Sequence, residues 1–148
     1  MKKKAEYQIS SSVNEEILEI ILEGELTAGN IEKLENELTA IIKTNGVKNL
    51  LVDAHALKSR FNYAEAYDLA RNHPPEFYRI NIAIVDLPEN FEFRSFQEWT
   101  SINAGLRWKW FADIDSAREW LKSKYRNDLL TKFFYLTQQQ TFIRLKLC

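Results

Sequence analysis

Three runs in this chain, EILEIILEG (residues 16–24), VKNLLVDA (47–54) and INIAIVDL (80–87), carry aliphatic side chains at odd and even positions alike. A strand that is apolar on both faces has to be covered on both faces, which places it inside a sheet. Between the first two runs the apolar period lengthens: Ile31, Leu34, Leu38, Ile41 and Ile42 recur at helical spacing with Glu and Lys between them. Buried strands alternating with helices imply an α/β domain with a mixed, mainly parallel sheet and right-handed crossovers. Few other features narrow the choice of fold as much.

The remaining elements follow from punctuation. Residues 5–9 read as a first strand, joined to 16–23 by the polar stretch Ser10 to Asn14, so it lies antiparallel at an edge. Thr27 or Asn30 can cap the first helix, and Asn45-Gly46 supplies the left-handed residues that stop it. A second helix runs from Tyr63 to Asn72 and ends at His73-Pro74-Pro75, because proline cannot continue it. A helical stretch over 91–103, a short strand RWKWF after Gly105, and a helix opening at Asp113 or Asp115 and running through Trp120-Leu121 complete the order β-β-α-β-α-β-α-β-α. At 148 residues the chain holds one ordinary core. We assign it to residues 1–122, followed by a basic, aromatic extension over 123–148. In that extension Leu129, Leu130, Phe133, Phe134 and Leu136 keep helical spacing, while Phe142, Ile143, Leu145 and Leu147 drift toward period two.

The net charge of -1 hides an asymmetry: residues 1–121 hold 14 Lys and Arg against 20 Asp and Glu, and residues 122–148 hold 6 against 1. The body repels phosphate, and the tail's charges are interleaved with Phe, Tyr and Leu, so neither forms a nucleic-acid footprint. A lone cysteine, Cys148, permits neither an internal disulfide nor a thiolate metal cage and fits a reducing compartment. The start, Met1-Lys2-Lys3-Lys4, is followed by no apolar stretch of the kind an export signal needs, and no run approaches the roughly 18 residues of a membrane span. A cytoplasmic protein is the expectation.

DAHALKSRFNYAE (53–65) concentrates the reactive side chains. On a continuing strand Asp53 and His55 leave by one face at its carboxyl end, where open α/β sheets place ligands. As a general base oriented by an acid, His55 would need a nucleophile, and Ser59 and Tyr63 are the local hydroxyls. The plainer reading is a strand-end acid beside a loop histidine, and with no Gly-x-Ser-x-Gly elbow that reading prevails, so no catalytic residue is assigned. Two histidines without ligand spacing and four scattered glycines give no metal site, no phosphate cradle and no cofactor. Trp99, Trp108, Trp110, Phe111 and Trp120 read as core, with Trp108 and Trp110 on one strand face.

Taken together, the order of elements and three strings resemble the STAS-like, or SpoIIAA-like, anti-sigma-factor-antagonist domains. LEGELTAGNIEKLENELTAII is similar to that family's strand ending in Gly-Glu-Leu-Asp and its first helix, with Gly24-Glu25-Leu26-Thr27 here; VKNLLVDAHAL is similar to its third strand ending in an acid, at Asp53. FQEWTSINAGLRWKWFADIDSAREWL resembles the ending of a bacterial STAS/CRAL-TRIO-like branch, at Phe111, Ala117, Trp120 and Leu121.

The resemblance implies helices mostly on one side of the sheet and a non-enzymatic regulatory module that binds a protein, or a small apolar or anionic ligand. It departs at the family's phosphorylatable Asp-Ser-Ser-Gly turn. That place falls near Phe61-Asn62-Tyr63, with no serine, so the phosphorylation switch is not expected. A helix N-terminus there still offers backbone N–H groups to a carboxylate. The binding surface implied is Asp53, His55, Ser59, Arg60, Asn62 and Tyr63, bordered by Arg94 and Asn103. A lipid or hydrophobic-ligand carrier is the alternative, and an enzyme using Asp53 and His55 ranks third. The uncovered sheet face calls for a cover, either the aromatic tail or a second copy in a homodimer.

Overall fold

The computed structural model describes residues 6–147. Among them, five strands pair in the order β1-β2-β3-β4-β5: β1 (Tyr7–Asn14), β2 (Ile17–Gly24), β3 (Asn49–Leu57), β4 (Asn81–Val85) and β5 (Arg107–Phe111). β1 is antiparallel to β2 and the other pairs are parallel, so the chain is a single α/β domain with a mixed sheet. The helices are α1 (Ile31–Asn45), α2 (Tyr63–Ala70), α3 (Phe91–Asn103) and α4 (Ile114–Leu147).

The first turn lies elsewhere than the polar stretch suggests. Ser10 to Asn14 belong to β1, and Asn14 pairs with Ile17 across the two-residue turn Glu15-Glu16. Both turn residues have positive φ, 47° and 69°. That matches the strand twist as a primed turn does, although no Asn or Gly announces it. Gly24, at φ 88°, has a different reason for being glycine: a Cβ there would come within 2.5 Å of the Glu6 carbonyl oxygen.

Strand parity divides the core. Leu18, Ile20, Leu50, Val52, Ile82, Ile84 and Trp108 face α1, whose Leu34, Leu38 and Ile42 pack on them. Ile17, Leu51, Ala83 and Val85 face the other way and are covered by Ala117 and Leu121 of α4, with Ile114 and Trp120 at the margin. Each such aliphatic burial contributes roughly 1.5–3 kcal/mol, so both faces are worth covering. The first two turns of α4, rather than the extension, cover this part of the second face, while Ile21 on it stays 44% exposed. Arg118 ties α4 to Glu19 of β2 through two hydrogen bonds of 2.6 and 3.1 Å, and Lys122 reaches Glu15 in the β1–β2 turn at 3.0 Å. Beyond that turn the helix continues for 25 residues, about 37 Å at 1.5 Å per residue.

Trp108 is buried and Trp110, Phe111 and Trp120 are half-buried, as core aromatics. Trp99 corrects the set: it sits on the outer face of α3, opposite the buried Arg94, Gln97 and Ser101, and is 64% exposed.

Candidate functional site

The carboxyl ends of β2, β3 and β4 and the starts of α2 and α3 meet at one edge of the sheet. β3 runs on past Asp53 to Leu57, and its register with β2 shifts by one residue after the Ile21–Asp53 pair. The extra residue is accommodated by Asp53: its Oδ1 accepts the His55 N–H at 3.1 Å and lies 2.7 Å from His55 Nδ1. An acid–imidazole pair does exist, then, half-buried on the sheet face shared with Leu51. Ser59, the hydroxyl it would need, belongs to the opposite layer, where it lines the core cavity and donates to the Leu26 carbonyl at 3.1 Å. Asp53 and His55 hold a β-bulge, and the sheet separates them from their nucleophile.

Arg60 is the keystone of the edge. Its guanidinium donates to the Leu57 and Ala54 carbonyls, at 2.6 and 3.1 Å, closing the end of β3, and reaches Asp86 through Nε at 3.1 Å and Nη2 at 2.5 Å. Asp86, one residue beyond β4, is fully buried. It also accepts from Arg94 Nε at 2.7 Å, from the Asn90 side chain at 3.2 Å and from the Leu87 N–H at 2.8 Å. Burial works to raise the Asp86 carboxyl. The Arg60 hydrogen bond, the Arg94 charge and hydrogen bond and the Leu87 N–H outweigh it and hold the group below its usual range. Arg94 is itself pushed down, first by burial and then by Arg60, against the pull of Asp86, and its Nη1 donates to Gln97 at 2.6 Å.

The expected residues therefore divide. Arg60 and Arg94 are joined, through an acid that motif reading passes over, into a scaffold that fixes the loop; Arg60 is only 17% exposed in its side chain. Asn62 caps α2: its side chain accepts the Glu65 N–H at 2.8 Å while Glu65 accepts the Asn62 N–H at 3.0 Å. This capping box satisfies the Asn62 and Glu65 N–H groups, two of the four donors that the start of α2 would offer an anion. Tyr63 stands beside it, 50% exposed, its ring edge-on to Phe96 at 4.9 Å. Asn103 does not border the site. It ends α3, nine residues or about 14 Å along the axis from Arg94, at the opposite edge of the sheet.

Behind this edge, between the sheet and α1–α3, lies a mostly apolar cavity of about 80 Å³. That is far below the roughly 300–1,000 Å³ typical of ligand pockets. His73 lines it, stacked between Phe77 and Trp108 at 5.5 and 5.9 Å. Its Nδ1 lies 3.3 Å from Glu35 Oε1 but off the hydrogen-bonding direction, and the Trp108 indole N–H has no partner among the described residues. No group of three or more His, Cys, Asp or Glu among the described residues is placed to hold a metal ion, and no helix among them is long and apolar enough to cross a membrane.

No protein-family model and no curated protein matches this sequence. Among solved structures, an anti-sigma factor antagonist from Mycobacterium paratuberculosis superposes with a TM-score of 0.57 at 10% identity, over 82% of this chain and 99% of that one. An uncharacterised DUF3478-family protein with a SpoIIAA-like fold from Shewanella loihica aligns over 82% of this chain and 98% of that one, at 20% identity and a TM-score of 0.48. The chain, with its edge-antiparallel β1, parallel β2–β5 and helices α1–α4, thus has the STAS-like fold of that anti-sigma factor antagonist.

Proposed function

We propose that this chain is a non-enzymatic, cytoplasmic STAS-like regulatory module that docks a protein partner where β3 meets α2, and that it does so without a serine phosphorylation switch. The observation that carries this reading is the capping box at the start of α2. Asn62 and Glu65 satisfy each other's backbone N–H groups at the place where the resemblance puts a phosphorylatable serine. A corner already capped, braced by Arg60 from beneath and crowned by an exposed Tyr63 and Lys58, presents a fixed surface. Fixed surfaces bind with little ordering cost.

The test starts with the full chain immobilised in extract of its host, identification of the retained protein by mass spectrometry, and calorimetry with that protein purified. Tyr63→Ala combined with Lys58→Glu is expected to weaken binding at least tenfold while melting stays unchanged. Affinity equal to wild type moves the docking surface elsewhere. Phosphoserine at Ser59 in protein purified from the host contradicts the missing switch.

A further inference from the structure

The 25 residues of α4 beyond Lys122 carry a row of large apolar side chains that the domain leaves exposed. Leu129, Leu130, Phe133, Phe134 and Leu136 are between 49 and 70% exposed. With side chains of this size offering roughly 150–250 Å² each, they leave on the order of 600 Å² uncovered per copy, close to the ~800 Å² that each partner contributes to a stable interface. We propose that this segment is a self-association helix, whose occupant is the same segment of a second copy running parallel to it.

Spacing and charge both point to that partner. Leu129, Phe133 and Leu136 are four and three residues apart, and the sequence continues the 4–3 rhythm through Gln140 to Ile143 and Leu147. This is the repeat that lets like helices interlock side chain into gap along a common seam. The positions preceding it in the same rhythm, Lys122 and Arg126, are charged, so the seam begins where the helix leaves the domain. In a parallel pair the flanking positions meet five residues apart, which sets Lys132 against Thr137 and Gln139 against Arg144, with no like charges opposed. An antiparallel pair sets position 132 against position 146, both lysine, in a segment holding 5 basic residues and 1 acidic one. Leu130 and Phe134 widen the apolar face beyond a two-helix seam, so a bundle of more than two helices fits the same rule.

Sedimentation equilibrium on the full chain tests this. Wild type is expected at twice the chain mass or a higher multiple, and Phe133→Glu with Leu136→Glu at the mass of one chain, with unchanged melting of the domain. In a Cys148→Ser background, Leu129→Cys is expected to cross-link to itself under mild oxidation, as parallel alignment requires. A wild-type protein that sediments as one chain overturns the proposal, as does assembly that survives both glutamates, or no cross-link at position 129. Wild type that is monomeric alone but cosediments with phosphatidylglycerol vesicles also overturns it, by assigning the helix to a membrane surface.

Discussion

Asp86→Asn removes one charge and almost no volume from the most heavily bonded side chain at the sheet edge. In the native protein that carboxylate takes two hydrogen bonds from Arg60, one from Arg94, one from Asn90 and one from the Leu87 N–H, and it is fully buried. Without the charge, two guanidiniums face each other across an amide that also offers them N–H groups. Breaking a buried ion pair from one side costs about 3–5 kcal/mol, since the remaining charge stays desolvated and unpaired. For a domain of this size each kcal/mol moves the melting temperature by about 2–4 °C, so calorimetry should find a fall of roughly 6–20 °C.

The pH dependence carries a second signature. Because the folded carboxyl titrates below its ordinary value of about 3.9, its stabilisation is full above that value and is lost as pH falls through the lower, folded one. The melting temperature of the wild type should therefore decline in that acid window more steeply than that of Asp86→Asn. A variant melting within about 2 °C of wild type at neutral pH, less than one kcal/mol by the same scaling, would refute the keystone reading.

Two further predictions concern the hairpin side of the sheet. Replacing Glu15-Glu16 by Asn-Gly relieves two positive-φ residues, of which the left-handed region costs roughly 1–2 kcal/mol each, and forfeits only an exposed bridge to Lys122. Thermal melting should rise by several degrees, and a fall would show that Glu15 matters through Lys122. Tyr7 donates to Glu37 at 3.0 Å, and burial, then the Glu37 hydrogen bond and charge, push its phenol up to about 12. Ultraviolet titration should show Tyr7 ionising late and Glu37→Gln bringing it down. The linked stability is present below the ordinary value of about 10 and lost as pH rises toward about 12.

The fold was legible because burial leaves a periodic trace: the two-faced apolar runs became β2, β3 and β4, and Gly46 stops α1 at φ 63° with its N–H on the Ile42 carbonyl. The site was legible only in halves. Asn62 and Tyr63 were placed by the start of a helix. Asp86 was not: it is next to last in a run, INIAIVDL, whose aliphatic residues mask one acid, and its partners Arg60 and Arg94 are 26 and 8 residues away. Parallel topology creates that neighbourhood by aligning the ends of β3 and β4, and no local spacing encodes it. The cover on the second sheet face was misjudged for a related reason. Ala117 and Leu121 are modest on a helix wheel, yet both are fully buried against Ala83 and Val85 of β4.

The burial of Arg60 changes what a mutation at this corner can report. A charge reversal at Arg60 would turn a side chain bonded to two carbonyls and an acid into a second carboxylate beside Asp86. Lost partner binding would then measure collapse of the loop rather than loss of a contact. Lys58 and Tyr63 are free of that confusion. Both are exposed, and the turn that presents them is fixed from below by Arg60, by Ser59 on the Leu26 carbonyl and by the Lys58 N–H on the Gly24 carbonyl at 2.8 Å. Rigidity comes from the buried residues, and the proposed docking falls to the exposed ones. A loop braced on both β2 and Asp86 should therefore lose affinity through faster dissociation when Tyr63 is truncated, with its association rate little changed.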